Sequence, residues 1–562
     1  MSSTNKPKLE LTWIGKDNPD YDIANIEPRI LEEIPELSNT VNDTETENMI
    51  IHGDNLLALK ALLPEYEGRV KCIYIDPPFN TGSAFEHYDD SVEHSTWLSL
   101  MSTRVQLLKI LLKDDGIILI HLDDSELHYM KVIMDQVFGR NNYINSIVVE
   151  SSTPSGTKLA HKNKTILKTK DTILLYKKNI NISIKPQYIS SNNLTNFNFF
   201  FEIINEEKEE YVIRSFRDVL VENEIITKNE KLSNIKLDNN KKLEDFCIKN
   251  KKHIFRKQPS MPDDIKLLSK KQPEKIFNYT DDGGKKYYAM NGYRFAFLDS
   301  SIRLVDGQEK VTQLLCDIWT DISFHGTQYE GDNSFPAGKK PEKLVMRILD
   351  MFTDKGDLVL DSFLGSGTTC AVAHKMERKY IGIEMGKHAY THCKVRLDKV
   401  IDMTGQSGVN LSTGWMGGGA YKFYELAPSF INTDEFGNPV IDNYYNDAKL
   451  INAMCKLMNF TYQPSKSEYW KQGIGQGKNY IYVTTQLLTI WMIQQIASHL
   501  SEGETLIVCP KKYEPGAEKI DSRITIKKIP QSVLKSCHFG KKEYLLPIKE
   551  TSIEEFDEED NE

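Results

Sequence analysis

Two short apolar segments of the chain each run into an unusual loop, and this pairing constrains the fold more than any other feature. Residues 70–75 run into Asp-Pro-Pro-Phe at 76–79, and residues 357–361 run into a glycine-rich turn at 363–367. Amphipathic helical patterns follow both loops, as they do in parallel α/β sheets. Ligands of such sheets bind at the carboxyl ends of the strands, which is where both loops are expected.

The distribution of these patterns predicts two separated halves of one sheet. Short apolar strands alternate with amphipathic helices in 48–180, and the same patterning resumes in 319–404. Between them, 181–318 is rich in Asn, Lys and aromatic residues with weak periodicity, which indicates an inserted α+β domain. We therefore expect an α/β fold with one shared sheet, followed by a mixed C-terminal domain over 405–548.

The individual elements of the sheet domain follow from apolar periodicity and from capping signals. Ser125 is expected to cap the second helix, which Gly139 would end. The expected helices are 97–112, 125–138, 342–352 and 368–376, and the expected strands are 70–75, 117–122, 357–361 and 380–384.

Basic residues are concentrated in the middle of the chain. The whole sequence carries a net charge of −10, with 70 Lys+Arg and 80 Asp+Glu, which by itself disfavours a nucleic-acid ligand. Residues 158–275 hold 25 Lys+Arg against 16 Asp+Glu, a balance of +9, so the rest of the chain sums to −19. This concentration favours DNA binding by the inserted domain. Eight carboxylates in 550–562 indicate an acidic disordered tail over 549–562.

The cysteine pattern argues against a metal site, and the absence of long apolar runs argues against a membrane protein. Eight cysteines are scattered without a C-x-x-C pair or a Cys/His cluster at zinc spacing, so we expect reduced thiols in cores and no metal site. The N-terminal extension, 1–47, begins without a signal-peptide pattern, and no run of about eighteen apolar residues could span a bilayer. We therefore expect a cytoplasmic protein without membrane association.

The glycine-rich turn at 363–367 stands between a strand and a helix, where backbone N–H groups can bind a ligand. A phosphate-binding P-loop would need Lys directly after the turn, where the chain has Thr368. A dinucleotide fingerprint would need a small residue in place of Cys370. A methyl-donor site fits better, because the Phe363 ring can attract a sulfonium and Glu384 can accept both ribose hydroxyls. The turn alone is equally compatible with a connection that binds nothing.

The Asp-Pro-Pro-Phe loop offers hydrogen-bond acceptors in a rigid frame. Two consecutive prolines fix the backbone and remove two N–H donors, which leaves carbonyl oxygens of the turn without partners. The Asp76 carboxylate and the Pro77 carbonyl can then hold an exocyclic amino group out of conjugation with its ring, and Phe79 can stack on a flipped base. An Asp-Pro-Pro turn alone is more often structural, but together with the glycine turn it predicts methyl transfer to a base amine.

These residues predict S-adenosylmethionine as the cofactor and the N6 amine of adenine in duplex DNA as the methyl acceptor. The transfer would be an in-line displacement that needs neither a metal nor a covalent nucleophile. Methylation of cytosine C5 would need a thiolate, typically displayed as Pro-Cys, and the sequence has no Pro-Cys dipeptide.

Four motifs resemble the modification subunits of type III restriction-modification systems, within the β class of DNA amino-methyltransferases. In that class the catalytic motif precedes a target-recognition region and the cofactor motif follows it. The resemblance covers 48–178 and 319–403, and it extends only loosely beyond them. The motifs are HGDNLLAL at 52–59, YIDPPFNTG at 74–82, IHLDD at 120–124 and KPEK at 340–343.

The resemblance implies a class I methyltransferase sheet of the Rossmann-like type and a set of site residues. Phe79 replaces the commoner Tyr, and Asp rather than Ser at position 76 implies adenine N6, with cytosine N4 as the alternative. Lys340 and Pro341 would hold the methionine end of the cofactor. The implied catalytic residues are Asp76, Pro77, Pro78 and Phe79. The implied cofactor-binding residues are Asp54, Lys340, Pro341, Asp361, Phe363, Gly365, Gly367, Thr368 and Glu384.

The resemblance also implies binding partners for the protein, and other functions stay open beside the one it implies. It implies a homodimer in the bacterial cytoplasm, a helicase-endonuclease restriction subunit as partner, and a target-recognition role for the inserted domain. An orphan methyltransferase without a nuclease is one alternative. Two others are a catalytically idle DNA-binding subunit, which intact Asp76 and Glu384 disfavour, and a methyltransferase of protein glutamine amides, which Asp at position 76 and the basic insertion disfavour.

Overall fold

The computed structural model describes two units of the chain, 1–185 together with 317–562, and 186–316. The described residues are 10–529 except 80–92, 154–158, 160–161, 192–193, 195, 206–207, 209, 233–235, 238–239, 306, 336–337, 406, 430, 434–438, 442–446 and 466. The expected acidic tail, 549–562, lies outside these residues. The strands are β1 Leu31–Glu33, β2 Met49–His52, β3 Val70–Ile75, β4 Leu112–Leu122, β5 Tyr143–Glu150, β6 Lys170–Lys177, β7 Tyr188–Ser190, β8 Phe199–Asn205, β9 Glu210–Ser215, β10 Ile254–Gln258, β11 Phe277–Thr280, β12 Lys286–Met290, β13 Tyr293–Phe297, β14 Ile302–Val305, β15 Gln308–Leu314, β16 Ile318–Trp319, β17 Leu358–Asp361, β18 Lys379–Glu384, β19 Lys422–Leu426, β20 Ile431–Thr433, β21 Pro439–Ile441, β22 Thr461–Tyr462, β23 Gly473–Ile474, β24 Asn479–Leu488, β25 Thr505–Tyr513 and β26 Ile524–Ile526. The helices are α1 Asn55–Tyr66, α2 His94–Leu111, α3 Asp124–Met134, α4 Phe216–Glu222, α5 Lys241–Lys249, α6 Asp263–Lys271, α7 Glu342–Phe352, α8 Thr368–Lys375, α9 Val395–Ile401, α10 Asn410–Thr413, α11 Asp447–Leu457 and α12 Ile490–His499.

A ten-stranded sheet forms the core of the first unit, in the order β1-β19-β2-β18-β17-β3-β4-β6-β5-β16. The strands from β19 to β4 pair in parallel, and β6 runs antiparallel beside β4. Apolar side chains of α1, α2 and α3 pack with those of the parallel strands in one buried cluster. Parallel strands covered by helices are the arrangement that βαβ connections produce. The Rossmann-like α/β sheet predicted from the sequence is therefore confirmed.

The two halves that are separated in sequence share this sheet. β3 and β17 are adjacent and parallel, with Cys72 opposite Val359 and Ile73 opposite Leu360. β18 pairs in parallel on the other side of β17. The loops that follow these strands therefore open at the same edge of the sheet, where both sequence motifs were predicted to lie.

Several boundaries differ from prediction because charged side chains cap the elements. α2 begins at His94, ahead of its predicted start, because the Glu93 carboxylate accepts hydrogen bonds from the first N–H groups of the helix. The prediction that Ser125 caps α3 is wrong, since Asp123 is the cap and accepts the Ser125 N–H. A π-helical turn, Asp135–Gly139, completes this helix.

β4 begins five residues before its predicted start, at Leu112 instead of residue 117. The Asp-Asp-Gly sequence at 114–116, which falls between the predicted helix 97–112 and the predicted strand 117–122, lies within this strand. The Lys71 ammonium of β3 pairs with the Asp115 carboxylate at 2.7 Å, and the register between β3 and β4 shifts nearby. Tertiary pairing thus outweighs the local turn preference of these residues.

The second unit is built mainly of short strands. They form a six-stranded sheet, β11-β12-β13-β10-β8-β9, and a three-stranded sheet, β14-β15-β7. Phe201, Phe255 and Phe295 are buried together, with the Phe255 and Phe295 ring centroids 4.2 Å apart. Aromatic residues of the inserted region therefore form a core inside this unit.

After β19 the chain of the first unit forms a separate five-stranded sheet, β22-β23-β24-β25-β26. Its last three strands are parallel. α12 connects β24 to β25, and Ile493 and Ile496 of this helix are buried against the sheet in one apolar cluster. This region thus carries a small α/β core of its own.

Within the described part of the chain, no helix combines the length and the apolar character needed to cross a bilayer. In the same residues, no cluster of three or more His, Cys, Asp or Glu side chains is arranged to hold a metal ion. All of the described cysteines except Cys316 are buried free thiols. Cys316 is exposed, so the expectation of core thiols is wrong for this residue, and Cys537 lies outside the described residues.

Candidate active site

The Asp-Pro-Pro-Phe loop leaves β3 at the carboxyl edge of the sheet. β3 is held in the sheet by side chains that are buried nearly throughout its length. The indole Nε1 of the buried Trp97 donates a hydrogen bond of 3.0 Å to the Pro78 carbonyl. The Pro78 end of the loop is thus held by α2. Asp76, at the other end, directly follows β3 at the edge of the sheet.

Asp76 has one paired and one unpaired carboxylate oxygen. Its Oδ2 accepts a hydrogen bond from the Lys340 ammonium, and the two side chains form an ion pair. Its Oδ1 is buried and, among the described residues, has no hydrogen-bond partner. A buried oxygen without a donor is costly unless a ligand supplies one, so Oδ1 marks a position for an incoming N–H group.

Two lysine ammonium groups lie within 6 Å of the Phe79 ring centre. The Lys340 ammonium is 4.9 Å from the Phe79 ring centre, and the Lys168 ammonium is 5.8 Å from it. The Phe79 ring is partly buried against the apolar core of the sheet. An aromatic ring in this position can stack on a flat ligand whose amino group reaches Asp76.

His121, which belongs to the IHLDD motif but was not predicted as a site residue, and Asp171, which lies in no quoted motif, support this loop. The His121 ring centre lies 6.1 Å from that of Phe79, and Tyr74 shares a 2.9 Å hydrogen bond with His121 Nδ1. His121 Nε2 lies 3.5 Å from Asp171 Oδ2, which is longer than a well-formed hydrogen bond. Burial acts to raise the pKa of Asp171, but His121 and the charges of Lys340 and Lys168 outweigh it and hold the pKa below its usual range.

The glycine turn follows β17 with two glycines in left-handed backbone conformations. Gly365 has a φ of +56° and Gly367 a φ of +81°. A Cβ atom on Gly367 would lie 3.1 Å from the Cα of Cys393, so the second glycine is required by close approach as well as by conformation. This turn brings the backbone N–H of Gly365 to the end of β18.

Glu384 is buried, and its carboxylate is hydrogen-bonded to the backbone of this turn. Its Oε2 accepts the Gly365 N–H at 2.7 Å, and its Oε1 accepts the Gly386 N–H at 2.8 Å. The His388 Nε2 also lies 2.8 Å from Oε1, and Glu384 is buried. A ribose hydroxyl could reach this carboxylate only by sharing or replacing one of these partners.

Asp361 ends β17 directly beside these groups. It accepts hydrogen bonds from the Phe363 N–H at 2.9 Å and from the Thr369 hydroxyl at 2.6 Å. Burial raises the pKa of Asp361 to about 7, and the negative charges of Asp76 and Glu384 add to this effect. Three carboxyl groups, of Asp76, Asp361 and Glu384, therefore lie near one another at this edge of the sheet. Of these, Asp361 has a pKa of about 7.

The remaining implied cofactor residues occupy structural positions. Asp54 caps α1, accepting the Leu56 and Leu57 N–H groups, and it pairs with the buried Arg104 at 3.1 Å. Thr368 begins α8, and its hydroxyl accepts a 2.7 Å hydrogen bond from Arg396. Both side chains thus make contacts within the protein, and their role in cofactor binding stays a prediction.

Pro341 and Lys340 form the start of α7. Pro341 is the N-cap of that helix, and the next N–H group, of Glu342, donates to Glu330 at 2.7 Å. Because Lys340 pairs with Asp76, the structure brings this motif to the Asp-Pro-Pro-Phe loop.

Substitution of Asp361 by Asn should change how stability depends on pH. The folded protein holds this carboxyl protonated up to about pH 7, whereas the unfolded chain releases the proton near pH ~4. Raising the pH from 4 to 7 therefore costs stability in the wild type, and this loss is absent in the Asn variant. Without cofactor, the denaturation midpoint of D361N should rise relative to that of the wild type as the pH goes from 4 to 7. Above pH 7 the difference between the two midpoints should stay constant. A constant difference at all pH values would contradict the raised pKa.

Comparison with known proteins agrees with this geometry. Residues 70–394 match the DNA methylase family, N6_N4_Mtase. The HindVI Mod subunit of Haemophilus influenzae, a probable type III restriction-modification enzyme, is 34% identical over 70% of this chain and 56% of its own length. The EcoP15I Mod subunit of Escherichia coli, also of type III, is 26% identical over 76% of this chain and 73% of its own length. The resemblance to type III modification subunits is thus confirmed, although the chain spans only about half the length of the Haemophilus relative.

Among solved structures, the chain is similar to the cytosine-N4-specific PvuII DNA methyltransferase. The two are 12% identical with a TM-score of 0.33, covering 70% of this chain and 97% of that one. The complex of M1.HpyAVI with SAM gives 15% identity and a TM-score of 0.29, over 62% of this chain and 98% of that one. Since the match to the family profile spans more than half of the sequence and includes both strand-end loops, the chain belongs to the DNA methylase family.

Proposed function

We propose that the protein is an S-adenosylmethionine-dependent methyltransferase that modifies the N6 amine of adenine in duplex DNA after flipping the base. The observation that carries this proposal is the unpaired, buried Oδ1 of Asp76 at the carboxyl end of β3. It lies at a strand end next to the glycine turn that follows β17. An amine acceptor and a candidate cofactor turn on adjacent strands are what methyl transfer to a base requires.

The residues present fit S-adenosylmethionine. Phe363 offers a half-buried aromatic ring for the sulfonium, and Glu384 offers a carboxylate for the ribose once one of its present partners moves. When bound, the cofactor supplies an electrophilic methyl group. Asp361, with its raised pKa, adds a carboxyl group that can lose its proton when a cation binds nearby.

The Asp-Pro-Pro-Phe loop would orient the adenine. The Phe79 ring stacks on the flipped base, and Asp76 Oδ1 accepts one N6 hydrogen while the Pro77 carbonyl accepts the other. Both acceptors draw the nitrogen lone pair out of conjugation and toward the methyl group. Because Oδ2 is already paired with Lys340, only Oδ1 is open to the amine. The gain in rate comes from orientation and from placement of charge.

Incubation of the purified protein with labelled S-adenosylmethionine and duplex DNA tests this function. Digestion of the DNA to nucleosides should place the label in N6-methyladenine. Label in N4-methylcytosine would support the cytosine alternative, and label in glutamine residues of added protein would support an amide methyltransferase. Unlabelled products from a protein that still binds DNA would indicate an idle DNA-binding subunit.

We further propose that the protein acts as the modification subunit of a type III system in the bacterial cytoplasm. The names of its relatives support this, since both are Mod subunits. A helicase-endonuclease subunit would be its partner, a homodimer its own assembly, and the unit 186–316 its target-recognition domain. Co-purification with a restriction subunit from the same host would test the partner, and light scattering would test the dimer. An orphan methyltransferase would remain alone in the first experiment.

Substitution of Lys340 by Met should slow methyl transfer without weakening cofactor binding. The cation fixes the orientation of the Asp76 carboxylate and leaves Oδ1 for the amine. Its loss lets the carboxylate rotate, and we expect turnover to fall by about tenfold or more. Binding of S-adenosylmethionine, measured by calorimetry, should change little.

A Lys340→Arg variant is the matched control, since it keeps a positive charge beside Asp76 and should retain more turnover than the Met variant. If Lys340 holds the methionine end of the cofactor, as the family resemblance implies, the Met variant would lose cofactor affinity instead. The two measurements on the same pair of variants therefore separate the two roles.

A further inference from the structure

The basic surplus of the chain lies mainly before the second unit. Residues 158–185 contain eight Lys and a single acidic residue, Asp171. The second unit, 186–316, contains 22 Lys+Arg against 20 Asp+Glu, which nearly cancel. Five of these eight lysines fall in 158–170, which contains no acidic residue and spans the end of the connection between β5 and β6 and the first residue of β6.

The end of this connection, residues 162–169, leads into β6 at the same edge of the sheet as Asp76. β6 runs antiparallel to β4, with Thr172 opposite Leu122, so the start of β6 lies beside the carboxyl end of β4. The Lys168 ammonium is 2.8 Å from Asp123 Oδ2 and 3.3 Å from Asp171 Oδ1. Residues 162–169, here called the basic loop, are thus anchored next to Phe79 at their C-terminal end.

The outer part of the basic loop carries side chains that the fold does not use. Lys162 and Lys164 are exposed, and no described carboxylate lies within ion-pairing distance of either ammonium. Ile166 is 96% exposed between them and Lys168. Two residues of chain span at most about 7 Å, so Ile166 stays close to the anchored Lys168.

We propose that the basic loop binds duplex DNA next to the target base, with Lys162 and Lys164 on backbone phosphates and Ile166 entering the base stack where the flipped adenine has left. This inference rests on the proposed function. Phosphate contacts by lysines supply affinity and position the duplex. Flipping costs unstacking energy, and apolar side chains that insert at base steps are a recurrent means of stabilising the distorted duplex.

Salt dependence of DNA binding tests the lysines. The double variant K162Q/K164Q should bind duplex DNA more weakly than the wild type, and the slope of log affinity against log salt should lose about 1.8, since each phosphate contact contributes about 0.9. The matched control is K355Q/K379Q, because Lys355 precedes β17 and Lys379 begins β18, at the opposite edge of the sheet. An unchanged slope in K162Q/K164Q, or an equal change in the control, would overturn the proposal.

Methylation of two matched duplexes tests Ile166. One carries the target adenine opposite thymine, and the other carries it opposite an abasic site, where flipping needs less energy. The target sequence is taken from sequencing of DNA that the wild-type protein has methylated. We expect I166A to slow methylation of the paired target by about tenfold and to approach the wild-type rate on the abasic duplex. Equal slowing on both duplexes would rule out insertion.

The two experiments separate failure of this inference from failure of the proposed function. If the wild-type protein transfers no methyl group to DNA, the proposed function is wrong, while the salt slope still reports whether the basic loop binds DNA. If the wild type methylates DNA and the loop variants match it in slope and rate, the loop assignment alone is wrong.

Discussion

Replacing Asp76 with Ala should abolish methyl transfer to DNA while S-adenosylmethionine still binds. The substitution removes the unpaired Oδ1, which is the proposed acceptor for the adenine amine, and it leaves the glycine turn intact. Without that acceptor the lone pair of the nitrogen stays in conjugation with the ring. Loss of one such electrostatic contact typically costs about 10² to 10³ in rate, and loss of base orientation adds to it. Single-turnover transfer of labelled methyl groups measures the effect.

Asp76→Asn provides the control for this result. Asn keeps the shape of the side chain and one acceptor oxygen, but it loses the ion pair with Lys340. We expect its rate to lie between those of the wild type and the Ala variant, with cofactor affinity unchanged in all three. An Ala variant that methylates at the wild-type rate would show that another group accepts the amine. An Ala variant that no longer binds cofactor would show that the fold of the site, and not the acceptor, had been lost.

The fold and the position of the site follow from the sequence because both are set by local patterns. The apolar run of β3 and the proline loop after it are contiguous, as are β17 and its glycine turn. Parallel pairing of the two strands then brings the loops to one edge, as the register of Ile73 with Leu360 shows. The positions of the two loops can therefore be predicted without knowing which distant side chains contact each other.

The side-chain partners of the site do not follow from local patterns. Lys340 is 264 positions from Asp76 in sequence, and His121 is 50 positions from Asp171. These pairs depend on how strands and helices converge, and no periodicity or spacing reports such convergence. Asp54 likewise has partners that its motif did not predict, since it caps α1 and pairs with Arg104.

The charge distribution misleads for a related reason. Counting charges over 158–275 joined a strongly basic connection of the first unit to a nearly neutral second unit, because the counted range ran across the predicted boundary at 180/181. Counting the two units separately shows where the basic surplus lies. The proposal that 186–316 recognises the target sequence therefore rests on its position in the chain and on its relatives, and the basic loop becomes the stronger candidate for contact with phosphates.

Removal of Glu342 should destabilise the first unit strongly. This carboxylate is fully buried, and its two oxygens contact Arg396 at 2.7 Å and Lys375 at 2.8 Å. Burial acts to raise the pKa of Glu342, but the two cations outweigh it and hold the pKa below its usual value. In Glu342→Ala both cations remain buried without their shared counterion. Breaking a buried pair in this way typically costs about 3 to 5 kcal/mol, which should appear as a lower denaturant midpoint.

Two controls distinguish this expectation from a general effect of removing charge. Glu377→Ala removes the carboxylate of an exposed pair with Lys355, and such pairs contribute little. Glu342→Gln keeps the size of the side chain and one acceptor, so it should lose less stability than the Ala variant. Because Arg396 also donates to Thr368 at the start of α8, the Ala variant should lose cofactor affinity together with stability. A Glu342→Ala variant as stable as Glu377→Ala would mean that water or movement of Arg396 and Lys375 compensates the missing charge.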